Sequence, residues 1–342
     1  MRKFNIYVYV IMLLSSAVVL FAGGQGESKG SKLKVALVTD VGGVNDQSFN
    51  QSAWEGLTRA KRDLGITVSY VESTQDADYI PNLQTLVDAK NDLIWGIGFK
   101  MGDAIAQMAR LNPDQRFAIV DFSYGDKTPA NVVGVLFRAE EPSFLVGYIA
   151  GKMTKTKKVG FVGGISGFII DAFDYGYHAG VYYANKNVMV LRQYADSFVD
   201  AAKGKSIALQ MYVQGADIIF HAAGAVGNGV IEASREQGMW SIGVDRDQND
   251  LAPDNVLTSA MKKVGDAIYL VAKELNNGVW KGGSTLNLGL VDGAVGIAPS
   301  SDQHVPADIL NEVVEISTKI INGDIKVPNN QSMFEQFVSQ QK

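Results

Sequence analysis

Apolar runs of six to nine residues recur along most of this chain, and segments of helical length separate them. Most runs are continuously apolar, which indicates strands that are covered on both faces of a sheet. Strands that alternate with helices predict mainly parallel sheets in an α/β protein. The predicted strands are residues 33–40, 67–72, 92–98, 116–121, 131–137, 157–164, 187–195, 216–223, 240–245, 255–261 and 286–292.

The chain length predicts two domains. Its 342 residues suit two units of roughly 150 residues each. An apolar helical segment, residues 143–153, divides the predicted strands into two groups, and Gly147 and Gly151 lie four residues apart on it. Because residues four apart share one face of a helix, a neighbouring element can pack closely there. We expect two α/β lobes of similar build, each with a doubly wound parallel sheet.

The N-terminus has the pattern of a secretory signal peptide, predicted over residues 1–24 and followed by a polar linker over 25–32. Arg2 and Lys3 precede an apolar run over residues 6–22, and small residues follow it. A membrane anchor is the alternative, but this apolar run is short for a membrane span. We expect an exported protein in the periplasm or at the outer face of the plasma membrane.

Charge and composition exclude several functions. The net charge of -5 argues against a nucleic-acid partner, which requires a basic surface. The absence of cysteine excludes disulfides, thiolate metal sites and lipid attachment through cysteine. The three histidines match no metal-binding or catalytic motif. We expect no metal, no cofactor and no enzymatic activity, with a hydrolase that uses a pair of carboxylates as the rival enzyme class.

Polar residues follow the ends of several predicted strands. Asp40, Asp121 and Asp245 each end a strand, and Lys262 follows the strand after Asp245. The carboxyl ends of parallel strands meet in one crevice, so we expect these side chains to lie together. Carboxylates accept hydrogen bonds from sugar hydroxyls and base N–H groups, while a lysine paired with Asp245 could donate to a ligand hydroxyl.

Aromatic residues and a glycine-rich turn accompany these polar groups. Phe49, beside Asn50, and Phe198 lie in polar loops of different predicted lobes, where their rings could hold a planar ligand between them. Phe99 lies in a similar loop. Gly224 begins a turn whose spacing, GxxGxG, differs from the dinucleotide and phosphate-loop motifs. This turn is better suited to close approach of the backbone to a ligand.

Several linked motifs occur in order and at matching intervals over residues 33–325. They are TDVGGVNDQSFNQSAWEG at 39–56, IVD at 119–121, EPSFLVGYIAG at 141–151, AAGAVGNGVI at 222–231, IGVDRDQ at 242–248 and VLTSAMKK at 256–263. Together they resemble the basic membrane protein family of bacterial ABC-transporter substrate-binding proteins, of the purine nucleoside receptor type.

The resemblance implies a type I periplasmic-binding-protein fold, in which a three-stranded hinge joins two lobes. The expected N-terminal lobe comprises residues 33–140 plus about 248–285. The expected C-terminal lobe comprises 141–247 plus about 286–325, and residues 326–342 form a C-terminal tail.

The resemblance also implies that the lobes close on a nucleoside, which is then passed to permease and ATPase subunits of an importer. The implied roles are base stacking by Phe49 and Phe198, hydrogen bonding to the base by Asp121, binding of the ribose hydroxyls by Asp245 and Lys262, and a polar wall formed by Asp40 and Asn50. Three alternatives stay open: another planar ligand such as a flavin, a hydrolase that cleaves nucleosides, and a ligand sensor that signals to a membrane partner.

Overall fold

The computed structural model describes residues 32–341, so the predicted signal peptide and nearly all of the predicted linker lie outside the described residues. Within this range, no helix combines the length and the hydropathy needed to cross a membrane.

Residues 32–341 form twelve strands and ten α-helices. The strands are β1 (Lys34–Thr39), β2 (Thr67–Val71), β3 (Leu93–Ile97), β4 (Arg116–Val120), β5 (Val132–Phe137), β6 (Lys158–Gly163), β7 (Met189–Tyr194), β8 (Ile218–Ala222), β9 (Trp240–Asp245), β10 (Val256–Lys262), β11 (Ser284–Leu288) and β12 (Val295–Ile297). The helices are α1 (Phe49–Leu64), α2 (Tyr79–Asp88), α3 (Gly102–Leu111), α4 (Glu140–Met153), α5 (Phe168–Ala184), α6 (Ala201–Val213), α7 (Val226–Gln237), α8 (Val264–Asn276), α9 (Ala307–Ile321) and α10 (Gln331–Gln340).

The strands form two six-stranded sheets, one in each lobe. The first sheet has the order β11-β5-β4-β3-β1-β2 and is parallel throughout. The second has the order β12-β10-β9-β8-β6-β7, in which only the β10–β12 pair is antiparallel. The predicted α/β class with two doubly wound, mainly parallel sheets is confirmed.

Both faces of each sheet are covered, as the continuous apolar runs predict. In β1, Val35 and Leu37 belong to the core that α1 and α8 cover. Ala36 and Val38 belong to a separate core on the opposite face, beneath α2 and α3. This alternation follows from the two-residue period of a strand, and it requires every residue of the run to be apolar.

The glycine pair of α4 confirms the predicted close packing. A Cβ atom at Gly147 would lie 2.3 Å from the carbonyl oxygen of Tyr177 in α5, and one at Gly151 would lie 2.8 Å from the Cβ of Ala184. Any larger residue at these positions would push the two helices apart.

The chain crosses between the lobes three times, but two crossings lie elsewhere than predicted. The crossings connect β5 to α4, β10 to α8, and β11 to β12. Residues 256–262, predicted in the N-terminal lobe, form β10, which pairs with β9 of the second sheet. β11, predicted to begin at residue 286 and to lie in the C-terminal lobe, begins at Ser284 and pairs with β5 of the first sheet. The reason is that strand pairing, not chain order, decides which lobe holds a strand.

The predicted C-terminal tail is also corrected. Most of residues 326–342 form α10, whose Phe337 is buried with its ring centroid 6.0 Å from that of Phe144 in α4. This helix therefore packs on the second lobe.

Candidate functional site

One cavity between the lobes brings the predicted site residues together. Its lining includes all eight of them, namely Asp40, Phe49, Asn50, Asp121, Phe198, Gly224, Asp245 and Lys262. Phe49 and Phe198 come from different lobes, as predicted. The described histidines do not line this cavity, and among residues 32–341 no three His, Asp or Glu side chains are grouped to hold a metal ion.

The backbone at two of the strand-end aspartates is strained. Asp121 follows β4 with φ of 64°, and Asp245 ends β9 with φ of 66°. Non-glycine residues rarely adopt this left-handed conformation, although aspartate tolerates it better than most. Such strain costs about 1–3 kcal/mol and is concentrated at functional sites, where the surrounding structure maintains it. Both residues line the cavity.

Lys262 forms an ion pair across the two lobes. Its Nζ lies 2.6 Å from Oδ2 of Asp121 in the first lobe and 3.8 Å from Oδ1 of Asp245 in its own lobe. The sequence pattern predicts Asp245 as the partner of Lys262, but Asp121 is closer. Asp245 is in register with Met261, so Lys262, one residue further along β10, reaches across the cleft instead. Its Nζ also lies 4.6 Å from the centroid of the Phe49 ring, a cation–π contact.

Two buried acceptors at the cavity have no hydrogen-bond partner. Oδ1 of Asp40 accepts from the backbone N–H of Gly42 and from Nδ2 of Asn50, at 2.9 and 2.7 Å. Oδ1 of Asn50 and Oδ1 of Asp121, by contrast, are buried and unpaired among residues 32–341. A buried acceptor without a partner costs about 1–3 kcal/mol. A ligand that carries N–H or O–H groups would relieve this cost.

An aromatic cluster forms part of the apolar side of the cavity. A Cβ atom at Gly164 would lie 2.2 Å from the Phe198 ring, so only glycine leaves room for that ring. Phe99 of the first lobe contacts Phe198 and Phe168 of the second edge-on, with ring centroids 6.2 Å apart in each pair. Phe99 also lines the cavity, although it was not predicted to do so, because a phenylalanine in a loop usually belongs to a core.

Helix α5 supplies further apolar residues of the lining: Ile169, Ile170 and Phe173. These lie on the first turns of the helix, which follows directly after a glycine turn. Rings and aliphatic side chains therefore face the four carboxylates and the single lysine that line the same cavity.

Asp46 and Ser48, which precede α1, were not predicted as site residues. Asp46 is buried and accepts from the backbone N–H groups of Ser48, Asn50 and Gln51, so it caps the first turn of α1. Oγ of Ser48 donates to Oδ2 of Asp245 across the cleft at 2.6 Å. The sequence NDQSFN, residues 45–50, could have predicted the role of Asp46, since an aspartate just before a helix is a typical cap.

Burial changes the acidity of the site. It raises the pKa of Asp40 to about 6 and the pKa of Asp245 to about 6, and it also raises the pKa of Asp46. Carboxylates lose solvation on burial, which favours their neutral form. Asp40 and Asp245 are therefore mostly ionised at neutral pH, and each becomes a neutral carboxyl group with an O–H donor as the pH falls through about 6.

The raised pKa values predict that ligand affinity falls in mild acid. As the pH falls below about 6, protonation removes the charge and one acceptor oxygen from Asp40 and from Asp245, so each of these two groups should weaken binding about tenfold at pH 5. The contribution of Asp40 and Asp245 to folding has the opposite sign, because their folded-state pKa lies above the reference value of 3.8. Between pH 6 and 4 their protonation stabilises the unliganded fold.

Calorimetric titrations at pH 7.5, 6.5, 5.5 and 5.0, each paired with a thermal melt, would test this prediction. Affinity that is constant over this range would contradict it. A loss of affinity that follows unfolding in the melts would contradict it as well.

Comparison with known proteins agrees with this architecture. Residues 33–331 match the family described as ABC transporter substrate-binding protein PnrA-like. Basic membrane protein A of Borreliella burgdorferi is 44% identical over 97% of this chain and 98% of that protein. The CD4+ T-cell-stimulating antigen of Listeria innocua is 42% identical over 96% of this chain and 99% of that protein.

Solved structures of solute-binding proteins share this fold. A solute-binding protein of an ABC transporter system from Aeropyrum pernix K1 superposes with a TM-score of 0.80 at 27% identity, over 90% of this chain and 97% of that one. The type I periplasmic-binding-protein fold and the family resemblance drawn from the sequence motifs are thereby confirmed. The chain belongs to the PnrA-like family of ABC transporter substrate-binding proteins.

Proposed function

We propose that this protein binds a purine nucleoside between its lobes, outside the cytoplasmic membrane, and delivers it to the permease and ATPase of an ABC importer. The observation that carries this proposal is one cavity that combines aromatic rings from both lobes with the unpaired acceptors of Asn50 and Asp121. A nucleoside has a flat base with N–H groups and a ribose with hydroxyl donors, and these features match the two kinds of lining.

Each part of the nucleoside has a counterpart in the cavity. Phe49 and Phe198 offer ring surfaces to the base, with stacking worth roughly 0.5–1.5 kcal/mol per aromatic pair beyond area burial. The unpaired Oδ1 of Asp121 is an acceptor for a base N–H group. Asp245 and Lys262 lie side by side and together can accept from and donate to the ribose hydroxyls.

The charge of the cavity favours a nucleoside over a nucleotide. Asp40, Asp46, Asp121 and Asp245 line it with only one lysine, Lys262. A phosphate placed near an unbalanced carboxylate in this partly buried site would be repelled by about 2–4 kcal/mol. We therefore expect guanosine 5′-monophosphate to bind about 30- to 900-fold more weakly than guanosine.

Calorimetry on protein that has been unfolded and refolded to remove any bound guest would test this proposal. Guanosine and inosine should each bind at one site per chain, whereas guanosine 5′-monophosphate should give little heat. Riboflavin serves as the comparison for a different planar ligand.

Two results would contradict the proposal. The first is tight binding of riboflavin without binding of either nucleoside. The second is the accumulation of free base over many turnovers, detected by chromatography, which would indicate a hydrolase.

A further inference from the structure

We propose that Gln248 is a positioning residue that couples closure of the lobes to the placement of Asp245. The inference rests on the proposed function for its effect on affinity, but its effect on lobe closure can be measured without a ligand. Gln248 is fully buried and does not line the cavity, so it acts through its neighbours.

Within the second lobe, Gln248 supports the turn that carries Asp245. Its Oε1 accepts from the backbone N–H of Val244 at 2.9 Å, and its own backbone N–H donates to Oγ of Ser259 at 3.1 Å. A Cβ atom at Gly243 would lie 2.7 Å from Oε1, so the side chain packs directly against the end of β9. These contacts maintain the strained backbone of Asp245.

The other end of the same side chain reaches the first lobe. Nε2 of Gln248 donates to the backbone carbonyl of Gln47 at 2.9 Å. Gln47 itself has φ of 60°, an unusual conformation for a non-glycine residue.

Two further bonds reach the neighbours of Gln47. Nδ2 of Asn228 donates to the carbonyl of Asp46 at 3.3 Å, and Ser48 donates to Asp245. We call residues 46–48, with Asn228 and Gln248, the interlobe latch. The latch forms only when the lobes are closed, because its donors and acceptors belong to different lobes.

The two ends of Gln248 explain why the latch is coupled to the site. Closure pairs Nε2 with the Gln47 carbonyl, while Oε1 fixes the turn from which the Asp245 carboxylate extends. Opening would release Nε2 and free the Ser48 contact to Asp245 at the same time. We therefore infer that the latch slows ligand release and that it stabilises the closed form even without ligand.

Two variants separate the functions of the latch. Gln248→Glu retains the acceptor for Val244 and replaces the donor to Gln47 with an oxygen that repels the carbonyl. Asn228→Ala removes the donor to Asp46 without touching the turn of Asp245. The control is Gln115→Met, because Gln115 donates to the carbonyl of Asn91 within the first lobe only.

The chain has no cysteine, so two introduced cysteines can carry spin labels specifically. Asp103→Cys and Ser166→Cys are exposed positions close to Phe99 and Phe168, whose rings meet across the cleft. Distances are measured by pulsed electron paramagnetic resonance with and without guanosine, and guanosine dissociation is measured by stopped flow.

Both latch variants should increase the long-distance population of the ligand-free protein and should accelerate guanosine dissociation about fivefold, the effect of one net hydrogen bond. Gln115→Met should change neither quantity. Parent distances and a parent dissociation rate in Gln248→Glu would overturn the inference. If Gln248→Glu does not fold, unchanged distances in Asn228→Ala, a half-buried position of the latch, would overturn it. If the parent protein binds no nucleoside, the proposed function fails, while the distances still test the latch.

Discussion

Replacing Asp245 with alanine should abolish guanosine and inosine binding while the protein stays folded. Asp245 is 6% exposed, and its carboxylate lies beside Lys262 and accepts from Ser48. In the proposed complex it accepts from the ribose hydroxyls, and charge-assisted bonds of this kind contribute about 1.5–3 kcal/mol each. We expect affinity to fall at least about 100-fold in calorimetry, with cooperative thermal unfolding retained.

Two control variants make the Asp245 result interpretable. Asp245→Asn keeps the size of the side chain and its tolerance for a left-handed backbone, so its loss of affinity reports the charge and the second acceptor oxygen rather than packing. Asp196→Ala has a similar backbone, with φ of 51°, but it is exposed and does not line the cavity. Parent affinity in Asp245→Ala, or an equal loss in Asp196→Ala, would count against the proposed role.

Replacing Lys262 with methionine should both destabilise the closed protein and prevent binding. Asp121 and Asp245 would then face each other across the lobes with no cation between them. Breaking a buried ion pair by removing one partner costs about 3–5 kcal/mol. We expect a loss of this order in the free energy of unfolding by urea, together with a more open distance distribution.

A second substitution distinguishes the loss of charge from the loss of packing. In the double variant Lys262→Met with Asp121→Asn, one buried carboxylate is neutralised, so stability should partly return while nucleoside binding stays absent. The neighbouring Lys263→Met should leave both properties nearly unchanged, because Lys263 does not line the cavity. A Lys262→Met protein as stable as the parent would refute the electrostatic explanation.

The fold could be predicted from the sequence because each strand is indicated by a local pattern of apolar residues. Continuous apolar runs such as residues 33–40 predict buried parallel strands, and the carboxyl ends of such strands meet at one edge. Asp40, Asp121 and Asp245 could therefore be grouped without knowing any contact, and the structure places all three at one cavity.

The features that sequence reasoning missed depend on pairing between distant segments. β10 and β11 each lie in the lobe opposite to the predicted one, because their hydrogen-bonding partners are not encoded in the local pattern. The same holds for the contacts of Lys262 with Asp121 and of Gln248 with Gln47, which exist only through the relative placement of the two lobes. The polar residues at the strand ends could be predicted, whereas the residues that they contact across the cleft could not.

A crystal structure of the protein grown with saturating guanosine tests the central claim most directly. The account predicts the base between Phe49 and Phe198, a base N–H group at Oδ1 of Asp121, and ribose hydroxyls within hydrogen-bonding distance of Asp245 and Lys262. Guanosine found outside this cavity, or a cavity that stays empty at saturation, would contradict it.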